Sequence, residues 1–413
     1  MIIRYYTLCP GCNAKTILRL QVGIDEHQPF YFVCEKCGVA TRGSLEVDYD
    51  ADPPDAHLQL EDGVIFESII ENPDQTITIA LDLPCVLVGG ESPASQYPFI
   101  YQAELMGGLG RVMQFQQRLS MFRGFVDSDW PRVRRLITYY VNRNWQQLDA
   151  EWANIFTKDT WLPPTNDLER HDYVHRALEM LFGPLQLEFD YPILKGEING
   201  FITKLAEEKR EVLRGFSQYL TNTKDLAQYQ RNLLDRLAFV IDNFSSLSPG
   251  FPMLFYEAGG KRDVGKLRIM RDDFEVLKAH YLSCFEIAYK VLGILIGLLN
   301  INARGNANAF PNEKPSSLKK FNELPNAQKP SFIDGNVVPE IASRWGGYFD
   351  RQLRNAIGHY SVHHDLKTGM LVLDDAPPIP YSEFVASTLK MTPMLFYCLQ
   401  LVKMVYVTRW FLK

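Results

Sequence analysis

The chain has 413 residues, is 46% hydrophobic and 22% charged, and carries a formal net charge of −6. That is ordinary globular composition, and the length suggests two or three domains. The longest strongly apolar run, Val291 to Leu299, is nine residues, well short of the roughly 20 that a membrane span needs, so it reads as a buried helix and no membrane partner is expected.

The first feature along the chain is a pair of C-x2-C motifs, Cys9-Pro10-Gly11-Cys12 and Cys34-Glu35-Lys36-Cys37-Gly38, with 21 residues between them. Each C-x2-C turn lets two thiolates converge on one ion. Two such knuckles on neighbouring hairpins complete a tetrahedral site. Four thiolates leave no open position, so the expected cofactor is a structural Zn(2+) held by Cys9, Cys12, Cys34 and Cys37, with no catalytic metal. Lys15 and Lys36 would soften the negative charge on the site. The other three cysteines, Cys85, Cys284 and Cys398, are scattered in apolar surroundings. Paired spacing with leftover thiols fits metal binding in a reducing compartment and not a disulfide framework. The opening MIIRYYTLCPGC lacks a signal-peptide h-region followed by a small-residue cleavage site. A soluble cytoplasmic protein is therefore expected.

Residues 1–47 form this module, which by its spacing and CPxC/CxxCG wording resembles a zinc ribbon, with strands expected at Thr16–Val22 and Phe30–Val33. The acidic stretch 48–58, DYDADPPDAHL, reads as a linker. Short β-branched runs at Val64–Ile70, Thr76–Leu81 and Cys85–Val88 complete a small strand-rich extension, residues 48–95. Residues 96–250 are a helical middle region, with helices expected over Pro131–Arg143, Leu168–Leu181, Glu197–Leu220 and Asp225–Asn243. Pro131 suits a first helical turn, where its missing N–H would be unpaired anyway. Ser245–Gly260, with three glycines and two prolines, looks like a boundary. The fold class is thus mainly α, with strands confined largely to the N-terminal part.

Residues 251–413 begin with a long helix. Its apolar face runs Phe274, Leu277, Tyr281, Cys284, Ala288, Leu292, Leu295, Leu299 at three- and four-residue steps. Asp272, Asp273 and Glu275 suit its N-terminus through the helix dipole, and His280 reads as a packing residue. A long loop over 303–338 follows, with a short helical turn near Leu318–Leu324; loops this long are often functional. Then come a helix from Pro339 to Gly358, a turn-and-strand piece at Asp365–Leu373, and a closing helical region from Tyr381 to Lys413, bent at Pro393. From Lys261 to Lys413 there are 20 Lys and Arg against 14 Asp and Glu. This mildly basic balance is compatible with an anionic substrate and equally with chance partition of a solvated surface.

The string Arg351-Gln-Leu-Arg354-Asn355-Ala-Ile-Gly358-His359-Tyr360 ends a predicted helix. Residues five apart on an α-helix point about 140° apart. Unwinding at Gly358 would bring His359 back beside Arg354. Arginine offers phosphate a bidentate fork, and histidine moves protons near neutral pH. His363 and His364 lie close behind and read as exposed loop residues. No P-loop, dinucleotide fingerprint or nucleophile elbow is present.

Arg354-Asn355-x3-His359 resembles the R-x4-6-H signature of HEPN domains. The surroundings are similar over roughly residues 256–413: a long helix, a variable loop, the motif helix, a turn-and-strand piece and a closing helix. The resemblance implies a C-terminal HEPN-like helical domain that forms a homodimer, with both motifs in one cleft. It implies an RNA endonuclease that needs no metal. His359 would act as general base or acid, Arg354 would stabilise the phosphorane, and Asn355 would orient or bind the backbone. Toxin–antitoxin and antiviral-defence effectors are common in the family, and a regulatory protein partner would fit that setting. One subgroup carries a tyrosine two positions after the histidine. That position is Ser361 here, so its regulation by tyrosine modification is not carried over. The alternatives are a non-catalytic HEPN-like module that binds nucleic acid or a partner, with the ribbon as a docking domain, and a DNA-associated regulator acting through the ribbon. The balance of five basic to four acidic residues in 1–47 does not favour the last.

Overall fold

The computed structural model describes residues 1–66, 69–86, 97–155, 164–186, 191–259, 267–311, 314–359, 361–374 and 376–411. Glu67 and Ser68 of the expected Val64–Ile70 strand, Leu87 and Val88 of the expected Cys85–Val88 strand, Gly260, Tyr360, and Leu412 and Lys413 at the end of the closing helix lie outside the described residues. The chain is mainly helical with a small strand-rich N-terminal region.

In order the elements are β1 (Ile2–Leu8), β2 (Lys15–Gln21), β3 (His27–Val33), β4 (Ala40–Asp48), β5 (Asp55–Leu60), β6 (Val64–Phe66), β7 (Gln75–Ala80) and β8 (Cys85–Val86). Helices α1 (Pro98–Met106), α2 (Leu109–Ser128), α3 (Trp130–Val141), α4 (Trp145–Ile155), α5 (Asp167–Gln186), α6 (Tyr191–Glu208), α7 (Arg210–Asn222), α8 (Asp225–Asp242) and α9 (Phe244–Leu247) follow. The remainder is β9 (Leu267–Arg268), α10 (Phe274–Arg304), α11 (Leu318–Glu323), α12 (Pro339–Tyr348), α13 (Arg351–Gly358), β10 (Val362–Asp365), β11 (Met370–Leu373), β12 (Ile379–Pro380) and α14 (Tyr381–Phe411). The chain divides into two compact units, each gathered from three stretches.

The first unit comprises Met1–Phe115, Asn243–Ala279 and Asn355–Leu389 and holds all the sheets found among the described residues. One sheet has the order β6-β1-β2-β7, with β2 parallel to β7 and the other pairs antiparallel. Alternation along β2 puts Thr16, Leu18 and Leu20 on the buried face, as period-2 patterning requires. The second sheet is the antiparallel meander β3-β4-β5. Gly43 in β4 is there for want of room: a Cβ would stand 2.5 Å from the Gln59 carbonyl oxygen. Of the acidic stretch read as a linker, Asp48 ends β4, residues 49–54 connect the β4–β5 hairpin, and residues 55–58 belong to β5. The Asp48 carboxylate turns the chain by accepting the amides of Asp50 and Ala51 at 2.9 and 3.2 Å, an Asx-type turn.

The second unit comprises Gln116–Asp242, His280–Arg354 and Lys390–Lys413 and is helical. In α3, Trp130, Val133, Ile137 and Tyr140 are buried, the i, i+3, i+7 stripe of a core-facing helix. Pro131 sits in its first turn. The helix expected over Glu197–Leu220 is two helices, broken at Lys209, which leaves helical geometry at φ −132°, ψ 35°. The long loop is anchored by an aromatic trio: Phe310, Phe321 and Phe332 have ring centroids 5.4–6.0 Å apart. Its short helix α11 is capped by Ser317, whose hydroxyl accepts the Lys320 amide at 3.3 Å. By length and composition, α10 and the Tyr381–Thr408 part of α14 are long and apolar enough to cross a membrane. Their most apolar windows are 78% and 89% buried inside the protein, as core helices are.

Candidate functional site

The four cysteines of the C-x2-C pairs come together in the first unit. β1 and β2 pair up to Leu8 opposite Lys15, so Cys9–Cys12 fills the turn between them. There the Cys9 amide donates to the Ala14 carbonyl at 3.0 Å and the Asn13 amide to the Cys9 carbonyl at 2.9 Å. The β3–β4 hairpin repeats the device. The Cys34 amide donates to the Val39 carbonyl at 2.9 Å and the Gly38 amide to the Cys34 carbonyl at 2.8 Å. Each turn needs one left-handed residue, Asn13 at φ 55° and Gly38 at φ 75°, residue types that tolerate it. Gly11 allows the knuckles to approach: a Cβ there would lie 2.9 Å from Val39 Cγ2.

The four Sγ atoms all lie within 4.8 Å of one another. Cys9 and Cys37 are 3.5 Å apart and Cys12 and Cys34 3.7 Å. Sulfurs arranged tetrahedrally at about 2.3 Å from one zinc ion would be separated by about 3.8 Å, so the donor set fits. Burial opposes ionisation of the Cys34 thiol, but the Cys37 and Lys36 amides, with Cys9 and Cys12, bring it down to about 7. The cluster could therefore hold a structural zinc ion.

Arg354 belongs to the second unit. Asp350 caps helix α13, its carboxylate accepting the amides of Gln352 and Leu353 at 2.8 and 3.1 Å. Arg351 ties the helix start to the long loop by donating to the Ala327 carbonyl at 2.7 Å. The Arg354 guanidinium donates through Nε and Nη2 to one oxygen of Glu286, the Nε contact at 3.2 Å. Its carbon stands 5.9 Å from the centre of the Phe285 ring. Both partners are open to solvent, Arg354 at 31% and Glu286 at 42% side-chain exposure. Lys329 completes the surroundings. It is 5% exposed, and its ammonium donates to Asn326 at 2.9 Å. Burial lowers its pKa, while Glu286 raises it and Lys290 lowers it. Glu286 thus lies within electrostatic reach of Lys329 as well as holding Arg354. Sequence reasoning missed Lys329 altogether. The available signal for Glu286 was a charge beside Lys290 at i,i+4 on an otherwise apolar helix.

Asn355 and His359 belong to the first unit, and both are exposed. The helix expected over Pro339–Gly358 is two, α12 and α13, parted where Phe349 leaves helical geometry at φ −124°, ψ 86°; the second ends at Gly358. Gly358 is not among the glycines with positive φ, and the His359 amide still donates to the Asn355 carbonyl at 2.9 Å. Tyr360 lies outside the described residues. His363 and His364 are not loop residues; they form strand β10 against β11. The His364 side chain is 3% exposed, and its Nδ1 meets the Asp272 carboxylate at 3.1 Å. Arg42 donates to the same carboxylate at 2.8 Å, and the His364 ring stacks on Tyr381 at 4.1 Å. Asp272 therefore serves this network, Asp273 pairs with Arg271 at 2.9 Å and Glu275 with Lys278 at 2.6 Å. His280, in the second unit, packs flat on Phe239 at 4.2 Å. Burial pushes its pKa down to about 3.

Compared with known proteins, the chain matches no family model, no curated protein and no solved structure.

Proposed function

We propose that the protein is an RNA endonuclease that works without a catalytic metal, using Arg354 and His359, with a structural zinc ion in the four-cysteine cluster. The observation that carries the reading is the setting of Arg354. A guanidinium bonded to Glu286, with lysines beside that carboxylate, is positioned in advance and can meet a phosphate at little further entropic cost. His359 is exposed, so its ring can be reached from solvent.

In the reaction, the ribose 2′-hydroxyl attacks the neighbouring phosphorus as its proton passes to a base, the role assigned to His359. Arg354 stabilises the charge that builds on the phosphorane oxygens. The 5′-oxygen leaves and is protonated, giving a 2′,3′-cyclic phosphate and a 5′-hydroxyl. Asn355 orients the backbone. Two copies of the chain would build the cleft, each supplying one motif, and a role in defence or toxicity would follow from the family resemblance.

The test is digestion of a mixed RNA pool by wild type, Arg354→Ala and His359→Ala in EDTA. Wild type should cleave and leave cyclic-phosphate ends, while each variant loses at least 100-fold, the usual worth of a positioned proton-transfer group. Equal cleavage by all three would refute the assignment. The same ion pair favours a second reading, because Glu286 already neutralises Arg354: the domain binds RNA or a partner without cutting it. Salt-sensitive RNA binding with no cleavage by any of the three proteins would favour that reading.

A further inference from the structure

The second unit contains a cavity of about 320 Å³ that plays no part in the nuclease reading. Its floor is aromatic. Tyr140, Trp145, His171 and Tyr406 line it, with His171 and Tyr406 stacked at 4.6 Å and Tyr140 and Trp145 at 6.1 Å between centroids. His171 is fixed in place, its Nδ1 sharing a hydrogen bond with the Tyr140 hydroxyl and facing the Gln230 side-chain nitrogen at 3.4 Å. The lining is also cationic: Arg143, Lys224 and Arg231 contribute to it. Among the described residues none of these three pairs with a carboxylate. The one carboxylate in the lining, Asp167, is already engaged by Arg170 at 3.1 Å.

Two of the three cations sit on unusual backbone. Arg143 has φ 57° and Lys224 φ 64°, the left-handed region that L side chains adopt only at a cost. Glycine is the residue for a left-handed helix end. Here a cationic side chain stands in its place at both turns. Strain of this kind persists where the surroundings over-determine it, and it clusters at ligand-binding sites.

We propose that this cavity binds a nucleoside monophosphate, its base on the aromatic floor and its phosphate among Arg143, Lys224 and Arg231. The volume lies at the lower end of small-molecule sites, which suits a mononucleotide better than a dinucleotide. Three unpaired cations complement a phosphate dianion, and the side-chain amides of Gln228 and Gln230 supply donors and acceptors for a base edge.

Calorimetric titration of the full chain with adenosine, guanosine, cytidine and uridine monophosphates, inorganic phosphate and adenosine tests this. At least one nucleotide should bind ten-fold or more tightly than phosphate or adenosine. The double variant Arg143→Gly/Lys224→Gly removes two charges while giving both left-handed turns their preferred residue. It should bind the nucleotide at least ten-fold more weakly with no fall in Tm. Arg231→Gln, at an ordinary helical position, should also weaken binding. Nucleotide and inorganic phosphate binding equally, no nucleotide binding at millimolar concentration, or undiminished binding by both variants would each overturn the proposal.

Discussion

Asp82 is held where its ionised form is disfavoured. Its Oδ1 is buried with no hydrogen-bond partner among the described residues. Burial pushes its carboxyl up to about 7, with Asp25 adding to the rise and the chain's N-terminal ammonium opposing it. A carboxyl raised on folding contributes stability that is full below its unfolded pKa, near 4, and lost as pH rises through about 7. The wild-type urea midpoint should therefore fall between pH 5 and pH 8 on this account. Asp82→Asn should flatten the slope and be the more stable protein at pH 8, by at most about 4 kcal/mol at ~1.4 kcal/mol per pKa unit. Parallel pH profiles for the two proteins would show that Asp82 is not the source. Asp272 has the opposite sign. The His364 hydrogen bond lowers its pKa against the effect of burial, with help from Arg42. Its contribution is present at neutral pH and fades only as pH falls below about 4.

At the scale of elements, stretches free of breakers located several helices, and a stripe at three- and four-residue steps located the long α10. The first signal failed at Phe349–Asp350 and again at Lys209, at each of which one expected helix is two. The flanking Glu207, Glu208, Arg210 and Glu211 are all good helix formers, so nothing local marks the break. One close approach explains another helix pair. In α10, a Cβ on Gly297 would lie 2.5 Å from Cζ of Phe216 in α7, so glycine is there to admit the ring. Gly297→Ala gains roughly 1 kcal/mol of helix propensity but must displace a ring that is only 6% exposed, at about 1–3 kcal/mol. A net loss of about 1 kcal/mol in urea unfolding is expected. Phe216→Leu in the same chain should recover part of it, a coupling that a double-mutant cycle would read. Strictly additive effects would mean the two side chains do not compete for that space. The motif helix shows the same limit of legibility. Its end at Gly358 was legible, but its start at the Asp350 cap was not, because the sequence reads as one unbroken helix from Pro339. The partner of Arg354 lies 68 residues back, a distance over which no local pattern carries information.

Across the whole molecule, the two units interleave along the chain, each gathering three stretches, whereas composition shifts are read in sequence order and outline only contiguous domains. The cysteine site was legible because its information is local: two four-residue motifs, each closing its own turn, need only meet. This sets up the prediction that separates a structural metal from a catalytic one. Elemental analysis should find one zinc per chain, lost in Cys9→Ser/Cys34→Ser. Because metal affinity and folding are one equilibrium in such sites, stripping the ion should lower the Tm of the first unit by several degrees at roughly 2–4 °C per kcal/mol. The helices α3–α8 carry none of the four cysteines, so most of the far-ultraviolet helical signal should survive. RNA cleavage in EDTA should continue as long as the zinc is retained, which means measuring the metal content of the same sample. Cleavage that stops when a magnesium or manganese chelator is added, with zinc still bound, would place the chemistry on a second metal and remove the roles given to Arg354 and His359. Zinc that is absent from the purified chain, or present but without effect on Tm when removed, would reduce the cysteine cluster to four neighbouring thiols.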